Sequence, residues 1–243
     1  MKKSYQEFSI FQIDIGKINV FGQSDIMALE AHLNALEACW PKVRGLIFKS
    51  DKISPRGLPI FCAGADQRER ADWSYEKIVA HVEYQRSVLH RLRQSPLWII
   101  ACVNGLALGL GTELCLASDF VLASERAQFG FPEKDWGIVP GAGGTAWAYG
   151  WAAHKDAAQA MIRTGERISS EKAQWLEVVD VCIEMEEFDF YVEKIMDWIC
   201  SLKPENQIEK KQNHWKNISF EKWFEFEHKT YCEVLKNKPT KKA

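Results

Sequence analysis

Between Leu97 and Phe120 the chain is apolar almost without a break, and ahead of Asp119 it admits one charged side chain, Glu113. Such a stretch belongs in an interior, and a carboxylate goes inside only with a partner or a task. It opens as a strand, Leu97 to Val103, turns at Asn104–Gly105, and passes a glycine-rich loop into the run from Leu106 to Phe120. A short strand is predicted over Phe120 to Ala123. Next come Gln128–Phe129–Gly130–Phe131–Pro132–Glu133 and the flexible Pro140–Gly–Ala–Gly–Gly–Thr145. A second carboxylate, Glu133, therefore sits in a segment that otherwise reads as tightly turned.

The flanking sequence alternates strands and helices. Phe8 to Ile15 has a strand's alternation, and Gly45 to Phe48 is an apolar run expected in a strand covered on both faces. A helix is predicted from Ser24, its cap, to Trp40, with Ile26, Leu29, Leu33 and Leu36 on one face. A longer one runs from the Ser74 cap to Gln94, with Ile78, Val82, Leu89 and Leu92 inward. Beyond Thr145 the pattern is mostly helical: Trp147–Thr164, Ser170–Leu176, Phe188–Leu202 and Phe220–Leu235. The loop from Ser50 to Pro59 reads as an insertion, and the tail from Lys236 to Ala243 as solvated and frayed.

A chain of 243 residues with 47% hydrophobic side chains can bury a large core, so disorder is excluded. A net charge of −2 argues against nucleic acid as the main partner. The seven cysteines are odd in number and scattered without a CxxC, as reduced core thiols are, which points to the cytoplasm. The first residues, MKKSYQEFSIFQID, lack the apolar core of a signal peptide, and no run is long enough to span a membrane. The six histidines show no metal-ligand spacing, so no metal is expected.

Four motifs carry the chemistry: Phe61–Cys62–Ala63–Gly64–Ala65–Asp66, the loop Gly105 to Leu114 with Gly109 and Glu113, Pro132–Glu133, and Pro140 to Thr145. In that order, from roughly Asn19 to Asp180, they resemble the crotonase (enoyl-CoA hydratase/isomerase) superfamily. The resemblance implies an α/β fold of repeated ββα units forming a spiral, with C-terminal helices. It divides the chain into a core, 1–185, and a helical region, 186–243, that serves oligomerisation as a homotrimer or hexamer.

The resemblance also implies a site. Backbone N–H groups of Ala65 and Leu110 would hold a thioester carbonyl oxygen, the second at a helix start where amides lack internal partners. Glu113 and Glu133 match the two glutamates of the hydratases and would share one water. Hydration of a 2-enoyl thioester needs a base to deprotonate water and an acid to protonate Cα, and two carboxylates do both. Two acids close together in an apolar pocket do not both ionise easily, so one pKa should rise. Ala63, Gly64, Asp66, Gly109, Trp136 and Gly141 are the implied substrate contacts. The substrate is an acyl-CoA or an acyl-carrier-protein thioester, and coenzyme A is part of it, so no separate cofactor is implied.

Three rivals stand beside the hydratase reading. An isomerase needs only Glu133, decarboxylation is the lesser alternative, and a divergent member would bind acyl-CoA with little turnover. Leu110 replaces the glycine usual in the anion loop, so its side chain must point away from the acyl site or fill part of it. Glu177 stands where relatives carry glycine. Arg56, Arg68 and Arg70 read as solvated charges, with coenzyme A phosphates as their other reading. Trp136, Trp147 and Trp151 read as candidates for the acyl wall, and Trp198, Trp215 and Trp223 for a subunit interface.

Overall fold

Strand β6 (Trp98–Val103) shows why the central stretch is unbroken: all six residues are buried. Its odd-numbered side chains, Ile99, Ala101 and Val103, enter the main core, and Trp98, Ile100 and Cys102 enter a second core on the opposite face. A strand covered on both sides has no polar face to show. β3 (Gly45–Lys49) and β8 (Phe120–Ser124) divide likewise, with Leu46, Phe48, Val121 and Ala123 on one side and Ile47 and Leu122 on the other. With β1 (Phe8–Gln12) and β11 (Val181–Ile183) they form a five-stranded sheet in the order β1-β3-β6-β8-β11, every pair parallel. The computed structural model describes residues 6–238.

From β1, β3, β6 and β8 the chain passes to short strands in a second layer and then to a helix or 3-10 turn. β2 (Val20–Phe21) leads to α1 (Gln23–Glu37). β4 (Ile60–Cys62) and β5 (Gly64–Ala65) lead to α2 (Tyr75–Gln94), and β7 (Leu106–Leu108) to α3 (Leu110–Leu116). β9 (Gln128–Gly130) leads to a 3-10 turn, Pro132–Trp136. β4, β7 and β9 align in parallel, β10 (Ile168–Ser169) adds an antiparallel edge, and β2 pairs with β5. This is the expected spiral of ββα units.

The main core fills the space between the layers with Phe21, Phe48, Phe61, Phe129 and Phe131, none more than 2% exposed. Each contributes on the order of 1.5–3 kcal/mol by leaving water. α7 (Phe188–Ser201) covers the outer sheet face with Phe188, Met196 and Ile199. α4 (Gly144–Gly150) packs on α5 (Lys155–Thr164), and α6 (Ser170–Trp175) packs on β10 and β11. α8 (Pro204–Trp215) and α9 (Phe220–Lys236) follow, α9 packing on α2 and α4.

Several expectations need correction. The cap of α1 is Gly22, whose N–H donates to Asp25 at 2.8 Å, so Ser24 lies inside the helix. β1 stops at Gln12 instead of reaching Ile15. The helix predicted over Trp147–Thr164 is two helices, α4 and α5. Gly150, the poorest helix former in the run, ends the first where it packs against the Trp223 ring. α8 went unpredicted because its inward face is polar: Gln207 and Lys211 are its buried residues. Gln207 joins Arg44, while Lys211 meets Asp119 at 2.7 Å and donates to the Leu92 and Leu97 carbonyls. Trp215 donates to Asp119 at 2.9 Å, and Trp223 covers Gly150, so both tryptophans serve contacts within the chain. Glu177 holds φ +59, the left-handed region that favours the glycine it replaces. The tail from Pro239 and the first five residues lie outside the described residues.

Candidate active site

Two loops meet at Gly64. Its φ is +117, and a Cβ there would stand 3.3 Å from the Leu108 carbonyl oxygen and 4.0 Å from the Leu110 nitrogen. The turn after β4 thus touches the start of α3, bringing Ala65 and Leu110 to one cavity. Gly109, at φ +54, caps α3. A Cβ on it would come within 2.5 Å of Glu133 Oε1, so the Glu133 carboxyl lies against the N-terminus of the helix.

Glu113, within α3 itself, is held by a different loop. Its Oε1 accepts from the Ala142 N–H at 2.7 Å and the Gly144 N–H at 3.0 Å, both in the Pro140–Thr145 loop. The side chain is buried, and burial followed by the charge of Glu227 pushes its pKa up to about 7. Glu133 rises further, to about 8, first by burial and then by the charge of Glu113. Its Oε2 is sealed from solvent with no hydrogen-bond partner. Both acids line one cavity of about 20 Å³ with Ala65, Leu110, Gly141, Ala142, Arg70, Gln85 and Tyr231 among its walls. That volume is enough for a single water.

The α9 helix, far along the chain, completes the site with two residues the sequence did not flag. Glu227 is wholly buried; its Oε2 accepts from the Gly143 and Ala146 N–H groups at 3.1 and 2.9 Å, and its Oε1 from Arg86 Nε at 2.8 Å. One glycine-rich loop is therefore strung between two carboxylates, Glu113 on one side and Glu227 on the other. Tyr231, one turn on, walls the cavity. A signal did exist on α2: Arg86 and Arg93 interrupt the apolar face of Val82, Leu89 and Leu92 at helical spacing. Polar residues at such positions announce buried partners.

The implied substrate contacts divide. Gly64 and Gly109 shape the cavity's loops and Gly141 lines it. Ala63 is half-buried, its N–H donating to the Asn19 carbonyl. Asp66 accepts from the Arg68 and Glu69 N–H groups and so caps its own loop. Trp136 is a correction: it is 42% exposed and stands outside the cavity wall, because the 3-10 turn carries Glu133 inward and its end outward. Trp147 is buried against Phe131 in the main core, and Trp151 lies on Phe220, so neither lines the cavity. Leu110 packs into the main core while forming part of the cavity wall. Arg56 and Arg68 are exposed, but Arg70 is not a solvated charge: it is 5% exposed and donates to Gln85 at 2.9 Å. His81 is buried beside the Trp73 ring, and burial pushes its pKa down to about 4.

The raised acids make stability pH-dependent. In the folded chain Glu133 titrates near 8 against an ordinary 4.5, so folding holds a proton that the unfolded chain releases. Its contribution is fully present below the lower value and is lost as pH rises through the upper one. Thermal unfolding followed between about pH 4.5 and 8 should show Tm falling more steeply with pH for the wild type than for Glu133→Gln. Parallel curves would mean the carboxyl is solvated.

The comparisons agree with this geometry. Residues 19–235 match the family model described as "Enoyl-CoA hydratase/isomerase". The chain belongs to the enoyl-CoA hydratase/isomerase family. Among relatives, it is 37% identical over 139 residues to "Enoyl-CoA isomerase/hydratase fer4" of Mycosarcoma maydis, 54% of this chain and 50% of that protein. It is 38% identical over 127 residues to the human "Methylglutaconyl-CoA hydratase, mitochondrial", 52% of this chain and 36% of that one. The matched stretch thus spans half or less of these relatives' length. Of solved structures, an enoyl-CoA hydratase from Bacillus anthracis superposes with TM-score 0.76 at 28% identity, over 97% of this chain and 88% of that one. One from Mycobacterium smegmatis, at 20% identity, shares the fold with TM-score 0.79, over 96% and 87%.

Proposed function

We propose that this protein adds water to, or removes it from, a 2-enoyl-CoA, with Glu113 and Glu133 as the acid–base pair. The observation that supports this most is that both acids line one water-sized cavity beside the Leu110 amide. In this reading Glu113 helps hold and activate the water whose oxygen attacks Cβ, and Glu133 delivers the Cα proton. Charge collecting on the thioester oxygen is met by the Ala65 and Leu110 N–H groups, the latter at the positive end of α3. The raised pKa values suit the roles, since a carboxyl titrating near neutral pH both gives and takes a proton. Coenzyme A enters as part of the substrate, and no further cofactor or metal takes part. In this reading the working unit is a homotrimer or hexamer in the cytoplasm, the compartment expected from the scattered, unpaired cysteines.

A second reading, isomerisation of a 3-enoyl thioester by Glu133 alone, is favoured by the contrast between the acids. Glu113 is tied to two amides, whereas Glu133 keeps an unpartnered oxygen. Incubation with crotonyl-CoA, followed by loss of its enone absorbance, tests the first reading. Gain of that absorbance from a 3-enoyl-CoA, with crotonyl-CoA untouched, would select the second. A protein inert toward both, yet thermally stabilised by coenzyme A, is a binding member of the family.

A further inference from the structure

The cavity leaves three polar atoms without partners, and two of them are donors. Arg70 Nε and Gln85 Nε2 are buried and unpaired, and Glu133 Oε2 faces the same space. Arg70 and Gln85 are 5% and 2% exposed and hold each other, Arg70 Nη2 donating to Gln85 Oε1 at 2.9 Å. Buried donors in a folded chain are nearly always satisfied, so a pair left open on one wall marks the place of an absent acceptor.

Charge narrows the identity of that acceptor. Arg86 has Glu227 at 2.8 Å and Lys211 has Asp119 at 2.7 Å. Arg93 lies over the Trp215, Phe220 and Phe224 rings. Arg70 lines the cavity with no carboxylate within 4.0 Å among the described residues. A water could take both open hydrogen bonds but would leave the buried positive charge uncancelled. Tyr231, Glu113 and Glu69 favour the Arg70 charge from nearby, but neither carboxylate pairs with it directly. An anion from outside does all three things, and a carboxylate matches the guanidinium edge.

We propose that the acyl group this site accepts carries a carboxylate of its own, received by Arg70 and Gln85 on the wall that also bears Ala65, Leu110 and the two glutamates. This rests on the hydratase reading and names its substrate class: short 2-enoyl thioesters of dicarboxylic acids. Arg70 and Gln85 line the same cavity as Glu113 and Glu133, so an acyl group that opens this space to reach the acids also meets Arg70. The straight neutral chain offers that cation nothing, and an apolar tail would bury it further.

Crotonyl-CoA and glutaconyl-CoA share the reacting enone and differ by one carboxylate, so their kcat/KM ratio reads the effect directly. The wild type should favour glutaconyl-CoA by at least about tenfold, the effect of one charged hydrogen bond. Arg70→Met should collapse the ratio, chiefly through KM. Gln85→Glu, which gives Arg70 a carboxylate from within the chain, should erode it without leaving a buried charge unpaired. A wild type indifferent to the extra carboxylate, or an Arg70→Met variant impaired equally toward both substrates, overturns the proposal and makes Arg70 a counter-charge for the glutamates. If neither thioester is hydrated, the hydratase reading fails separately, and binding is read by thermal shift with glutaryl-CoA and butyryl-CoA. A larger shift with glutaryl-CoA that Arg70→Met abolishes sustains the proposal; equal shifts overturn it.

Discussion

Glu133→Gln is expected to lower kcat for crotonyl-CoA hydration by about 10²–10⁴-fold while the fold stays intact. The substitution keeps the side chain's shape against the start of α3 but removes the proton that the proposed reaction delivers to Cα. KM should change little, because the thioester oxygen would still be held by the Ala65 and Leu110 amides. The wild-type pH profile should carry limbs from the Glu113–Glu133 pair near 7 and 8, belonging to the pair and to neither acid alone. In the variant one limb should vanish. Undiminished turnover in Glu133→Gln would remove Glu133 from the chemistry.

Glu227→Ala is the substitution expected to cost the most stability, about 3–5 kcal/mol. It strands Arg86, whose side chain is 9% exposed, as a buried cation and leaves the Gly143 and Ala146 amides unpaired. For a chain of this size that corresponds to a Tm loss on the order of 10 °C. Pairing it with Arg86→Met should recover part of the loss, because no lone charge then remains inside. Because the loop that Glu227 holds also binds Glu113, activity should fall in the single variant at temperatures where it is still folded. Urea unfolding of the three proteins decides the matter: a single-variant loss below about 1 kcal/mol would mean the Arg86–Glu227 pair is open to water.

Much of this was legible because the spiral repeats one local rule. Strands buried on both faces read as apolar runs, and α2, capped by Ser74, follows its own periodicity. The loops around Gly64, Gly109 and Pro140 announced themselves by glycine content and order, and the Glu113 and Glu133 positions with them. What stayed hidden is where polarity points inward. α8 buries a glutamine and a lysine, so an apolar stripe is missing from it. Glu227 and Tyr231 sit in a helix crowded with charges, and nothing in Phe220–Lys236 separates a buried glutamate from its solvated neighbours. Arg70 looked like a surface residue because its cover comes from Gln85 on the following helix and from Tyr231 on α9, far along the chain. Trp136 misled in the opposite sense, a large aromatic that the turn carries outward.

The late arrival of α9 has a consequence for the newborn chain. On the ribosome, Glu113 and Glu133 emerge long before Glu227 and Tyr231, so for that interval the glycine-rich loop lacks its second tether and the cleft its far wall. Docking of that helix then supplies the Glu227 tether of the loop and the Tyr231 wall of the cavity, and sets the Glu227 charge beside Glu113, so the site is assembled only when residues more than ninety positions downstream of both acids have folded against it.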